Sequence, residues 1–177
     1  MSRPVGFYTD EKRRVRPITP SSGERKINIF NDLNYNEAED YESAVSEIFA
    51  DLFGRKRKAT TAYVRAIGVD IPELIESIRI VKSYNEFEGE NVADELMELY
   101  KQGFISELVF GREYSPVIYI RPATTVEQFD REWRFKYVRD KLMKHRPDEA
   151  GFAEKIGDPF IHRNYDIKYD YVRVWWD

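Results

Sequence analysis

The strongest constraint on the fold is a run of apolar residues at helical spacing near position 40. Tyr41, Ala44, Val45, Ile48, Phe49, Leu52 and Phe53 recur at i, i+3, i+4 and i+7. A helix of this length draws its stability from packing such a stripe against other elements, so a core must form around it. Asn34 or Asn36 caps its start, acids fill its first turn and Gly54 marks its end. Arg55, Lys56, Arg57 and Lys58 follow, where cations meet the negative pole of the helix dipole.

Downstream, Thr60 or Thr61 is expected to cap a short helix running to about Ala66. Gly68-Val69-Asp70 then makes a turn, with Asp70 as N-cap and Pro72 in the first turn of a helix over 72–84. Leu74, Ile75, Ile78, Ile80 and Val81 form its apolar side. Asn91 opens a further helix over 91–102, with Val92, Leu96, Leu99 and Tyr100 in one stripe and Gly103 at its end. Phe104 to Phe110 and Val117 to Ile120 read as a β-hairpin with Gly111-Arg112-Glu113 at its tip. A long basic, aromatic helix runs from Thr124 or Thr125 to Arg146-Pro147, with Val126, Phe129, Trp133, Val138 and Leu142 as its buried positions. Residues 148–164 read as irregular and Tyr165 to Trp176 as a strand. Alternation along that strand sends Trp175 and Trp176 to opposite faces. One of them is available to cover another element or a second subunit.

The segment from Tyr63 to Ile75 resembles the helix-turn-helix pattern. A small or apolar residue, Val64, precedes a turn glycine, Gly68, by four positions, and a hydrophobic residue, a cap and a buried aliphatic follow. In that pattern Gly68 takes a positive φ and Val69 plugs the angle between the helices. Leu96 to Ile120 likewise resembles the end of a winged helix. Residues 41–121 are thus similar to a winged helix-turn-helix domain. The expected fold is α+β: a winged-helix-like helical core with a β-hairpin, then a long helix and a C-terminal strand. Residues 1–26 are expected to be a basic arm and linker, and 27–177 a single globular domain.

The resemblance implies a DNA-associated regulatory or accessory protein without catalytic function. Phosphate neutralisation supplies much of the affinity in such proteins, and the charges restrict where it arises here. The 72–84 helix sets Glu73 and Glu76 against Arg79 and Lys82, and the 91–102 helix sets Asp94, Glu95 and Glu98 against Lys101 alone. Contact with duplex DNA is therefore expected from Arg13, Arg14 and Arg16 on the arm, Arg55 to Lys58, Arg65, Arg79, Lys82 and Arg112. The alternatives are a protein-interaction or assembly module using acidic helical faces, or a protein of viral or plasmid type with no enzymatic role. A homodimer through the C-terminal aromatic strand fits either reading. Trp133, Phe135 and Tyr137 interleave with basic residues on the long helix, a pattern that serves a core or a stacking surface for single-stranded nucleic acid.

Composition removes other chemistries. Cys is absent, which excludes disulfides, thiolate metal sites and thiol nucleophiles. His145 and His162 are the only histidines. Asp158, His162 and Asp166 are spaced by four, but Pro159 interrupts the helix that would align them as metal ligands. There is no glycine-rich phosphate loop and no nucleophile elbow, and neither cofactor nor metal is expected. The net charge of −4 hides blocks of alternating sign: +4 over 1–26, −7 over 27–54, +5 over 55–68 and −7 over 69–100. Few thermolabile residues among many charges resembles thermophile composition. No apolar run approaches the ~20 residues of a membrane span and no secretory pattern opens the chain, so the expected location is the cytoplasm.

Overall fold

The computed structural model describes residues 25–31, 35–49, 61–125 and 127–177. Among them, seven strands form one antiparallel sheet: β1 (Ile27–Asn31), β2 (Tyr35–Ala38), β3 (Thr61–Ile67), β4 (Ile105–Glu113), β5 (Ser115–Pro122), β6 (Glu149–Ala153) and β7 (Tyr171–Trp175). They are ordered β2-β1-β3-β4-β5-β7-β6. Among the same described residues, four α-helices accompany the sheet: α1 (Tyr41–Phe49), α2 (Ile71–Arg79), α3 (Gly89–Lys101) and α4 (Gln128–Met143). No helix among the described residues is long and apolar enough to cross a membrane.

The sheet replaces the expected winged-helix core. Thr61 to Ile67, read as a helix, is strand β3. Its residues alternate: Ala62, Val64 and Ala66 are buried in the main core, while Arg65 and Ile67 are exposed. The β-branched and aromatic residues Thr61, Tyr63, Val64 and Ile67 favour this extended form. Gly68 does take a positive φ of 62°, but it opens a 3-10 turn leading from a strand into α2. Val69, expected to plug a helix crossing, is exposed. α2 stops at Arg79, short of the expected 84. β1, β2 and β6 fall where the sequence suggested a lead-in to the first helix and an irregular loop. The hairpin exists as β4 and β5, turning at Tyr114 with φ 68°, so Arg112 belongs to a strand and not to a tip.

All four helices lie on one side of the sheet. α1 packs on β1, β3 and β4, α2 on β3 and β4, and α4 on β5, β6 and β7, while α3 bridges α2 and α4. Their buried residues join Ile29, Val64, Phe110, Ile118, Val172 and Val174 in the main core. Tyr41, Ala44, Val45, Ile48 and Phe49 are all buried, as their spacing predicts. The opposite side of the sheet carries a second cluster of Tyr63, Val109, Val117, Tyr119, Ala153 and Tyr171 that includes no helix residue.

Candidate functional site

Two surfaces depart from ordinary polar cover, one on each side of the sheet. The first is the outer face of α4. This helix buries Phe135, Val138 and Leu142, which repeat at i, i+3 and i+7. Arg131 donates to the carbonyls of Tyr169 at 2.6 Å and Ile167 at 3.2 Å. Arg134 donates to Ala123 at 3.0 Å and Gly103 at 3.2 Å, and its guanidinium lies over the Phe104 ring. With the inner face fixed in this way, the other aromatic stripe points outward. Phe129 is 91% exposed and Trp133 54%. The Trp133 ring stacks on Tyr137 at 5.1 Å, and both lean on Phe104. Phe129 and Trp133 were expected to be buried, and Val126 lies outside the described residues. Helical periodicity defines stripes, but α4 is aromatic on two of them, and only the sheet decides which one faces inward.

The helical layer also carries an open depression of about 370 Å³ lined by Asn91, Asp94, Glu95, Glu98 and His145. Its charge is partly answered within the chain: Arg79 pairs with Asp94 at 2.6 Å, and His145 meets Glu95 at 3.3 Å.

The second surface is the helix-free face. Register places its residues in rows across the strands: Tyr63, Gly111, Val117 and Trp175; then Arg65, Val109, Tyr119 and Arg173; then Glu107 with Arg121. Glu113 sits at one end and accepts from Tyr63 Oη at 2.7 Å, Tyr119 Oη at 2.6 Å and Arg173 Nη2 at 2.6 Å. Burial, and next to it the Glu113 charge, push both tyrosines well above the ordinary value. Desolvation opposes the Arg173 charge, yet Glu113 and Glu149 hold that guanidinium above its usual pKa. The backbone N–H of Gly157 donates to Tyr119 Oη at 3.0 Å, which lays the loop after β6 over this end.

At the other end Glu107 is bracketed by Arg65 Nε at 2.7 Å and Arg121 Nε at 3.1 Å, and accepts from Tyr171 Oη at 3.0 Å. The Arg65 guanidinium rests on the Phe30 ring and that of Arg121 on Tyr171. Asp170 then links Arg121, at 3.7 Å, to Arg131, at 3.5 Å. Both arginines of the bracket stay accessible, with side chains 42% and 41% exposed.

The sequence did contain a sign of this face. Tyr63-Val64-Arg65, Tyr119-Ile120-Arg121 and Tyr171-Val172-Arg173 repeat one tripeptide on three strands. The middle residue enters the main core and the outer two face away from it. Tyr137-Val138-Arg139 has the same form inside α4, so the tripeptide identifies the face only once the strands are known.

The cations expected to meet DNA do not share a surface. Arg65 is on the helix-free face. Arg79 lies at the end of α2, paired with Glu76 and Asp94, and Lys82 follows in the loop beyond it. Arg112 is 1% exposed on the helix side, where Nη1 donates to the Ile48 carbonyl at 3.3 Å. Arg13, Arg14, Arg16, Arg55, Lys56, Arg57 and Lys58 lie outside the described residues. The two terminal tryptophans occupy opposite faces: Trp176 Nε1 donates to the His145 carbonyl at 2.8 Å and Trp175 Nε1 to that of Glu113 at 2.9 Å. β7 itself runs between β5 and β6, inside the sheet. Asp158 and Asp166 accept from nearby backbone N–H groups, and the His162 ring stacks on Tyr169 at 4.5 Å. Comparison of the chain with protein-family models, curated proteins and solved structures gave no match.

Proposed function

We propose that this protein is a non-catalytic interaction module that docks a protein partner on the outer face of α4. The exposure of Phe129 beside the Trp133–Tyr137 stack carries the reading. Leaving a phenylalanine in water forgoes roughly 1.5–3 kcal/mol available from burial, and aromatic anchors dominate protein interfaces. Lys144 shares this face, together with Lys136, which is paired to Glu132 at 2.7 Å, and Asp140, which is paired to Arg139 at 2.9 Å. With these charges paired within the helix, the aromatic ridge sets the partner's chemistry, and its surface is an apolar groove on a protein. The acidic depression beside α3 ranks second, because Arg79 and His145 already answer part of its charge. Reading duplex DNA was tied to a winged-helix core, which the sheet replaces.

A photoreactive phenylalanine analogue placed at position 129 in the full chain, in its native cells, tests this. The expected result is a discrete protein adduct that Trp133→Ala abolishes while the purified variant still unfolds in one cooperative thermal transition. An adduct indifferent to Trp133→Ala, or matched by one from exposed Glu154, would overturn the proposal. An adduct of twice the chain's mass would reassign the ridge to self-association.

A further inference from the structure

We propose that Arg65 and Arg121 form a second, separate binding site, which holds a phosphodiester of single-stranded nucleic acid on the helix-free face. Each guanidinium spends its Nε on Glu107 and rests one plane on an aromatic ring, so its orientation is set before any ligand arrives. The Arg65 Nη groups make no hydrogen bond to described residues, while Arg121 turns Nη2 to Tyr171 Oη at 3.1 Å and Nη1 toward Asp170 at 3.7 Å. Both side chains remain about two-fifths exposed. The two partly exposed guanidinium groups stand on strands either side of β4 and one row apart, hence about 12 Å apart at the backbone, and offer the planar donors that oxygen-rich anions take up. The Arg65–Glu107–Arg121 group carries one net positive charge, which suits a monoanionic diester better than a dianionic monoester. Asp170 faces Arg121 at 3.7 Å and Arg131 at 3.5 Å, and with Asp170 and Arg131 both counted the net charge of the group stays at one positive.

The strand, and not the duplex, follows from shape. This face presents no helix to enter a groove, and its tyrosines are buried, with Tyr63 7%, Tyr119 0% and Tyr171 4% exposed, so the arginines would meet the phosphate of an extended backbone and not the bases. The site lies across the sheet from the α4 ridge, so it does not depend on the protein-docking proposal.

Fluorescence anisotropy of a labelled twelve-nucleotide thymidine strand, titrated with the full chain over a salt series, tests the assignment. Wild type should bind at low salt, with affinity falling as salt rises. Arg65→Gln with Arg121→Gln should weaken binding about tenfold or more and flatten the log–log salt slope by about 1.4, as expected for two lost single-strand phosphate contacts. Arg65→Lys with Arg121→Lys should keep most of the slope while losing affinity. Lys82→Gln should change neither. If the double Gln variant unfolds, Arg65→Gln alone decides, with about half the slope change. No wild-type binding, or equal binding by the Arg65→Gln variant, overturns the site. So does binding to anionic phospholipid vesicles without affinity for the strand, which would assign these arginines to a lipid headgroup.

Discussion

Replacing Glu113 tests whether the helix-free face is held together by its carboxylates. Three donors converge on this side chain: Tyr63 Oη, Tyr119 Oη and Arg173 Nη2. In Glu113→Ala, two buried hydroxyls lose their acceptor, at about 1–3 kcal/mol each. Arg173 keeps Glu149 at 2.8 Å, so its charge is not orphaned, and relief of the buried carboxylate's desolvation offsets part of the loss. The expected destabilisation is about 3–5 kcal/mol. Glu113→Gln retains one acceptor oxygen but turns an amide donor toward the cluster, so about 1–3 kcal/mol is expected. Urea unfolding of wild type, Glu113→Ala, Tyr63→Phe and the double variant measures the coupling directly. Tyr63→Phe should cost about 1 kcal/mol alone and nothing, or less than nothing, once Glu113 is gone. Strict additivity, or a Glu113→Ala loss below about 1 kcal/mol, would refute the view that these groups act as one network.

Gly111 faces Tyr63 across the β3–β4 pair, and a Cβ there would meet the Ala62 carbonyl and Tyr63 Cδ1 at 2.5 Å. Gly111→Ala should therefore part the strands or displace the ring and cost about 1–3 kcal/mol in chemical unfolding; an unchanged midpoint would contradict the packing. Phe129→Ser, in contrast, should leave stability within about 0.5 kcal/mol of wild type, and a large fall in Tm would mean that the ring is covered within the chain. Tyr41, Tyr63, Tyr119 and Tyr171 have pKa values raised first by burial and next by neighbouring carboxylates. In the unfolded chain they ionise near pH 10 while the folded state keeps its protons, so the stability they contribute is intact below about pH 10 and is lost above it. Each can steepen that loss by up to about 1.4 kcal/mol per pH unit, and a melting temperature flat from pH 9 to pH 11.5 would exclude the effect.

What the sequence reveals depends on how local each determinant is. α1 was legible because a single stripe carries all its apolar residues. Gly68 was legible as a turn because the need for positive φ is local. β3 was not, since Ala62 and Ala66 fit a helical spacing as well as an alternating one, and the choice between them is made by β1 and β4 on either side. β6 reads Glu-Ala-Gly-Phe-Ala, without a β-branched residue, and it becomes a strand by pairing with β7 some twenty residues later. The same non-locality hid the helix-free face: Glu107, Arg65 and Arg121 are separated by 42 and 14 positions from one another along the chain and meet only through strand register. The α4 ridge was visible as a pattern, but its direction was not.

The outer edge of β6 bears on how copies of this chain meet when they unfold in part. Phe152 N–H donates to the His162 carbonyl at 2.8 Å and His162 N–H returns to Phe152 at 3.0 Å. Gly151 lets that segment approach, since a Cβ there would fall 2.6 Å from the His162 oxygen. The ladder is thus terminated from within, and an incoming strand finds its central donor and acceptor already taken. At the far end β2 pairs with β1 alone among the described strands, over four residues that include exposed Glu37. Of the two outer strands, β6 is thus the one whose own chain closes it to a second copy.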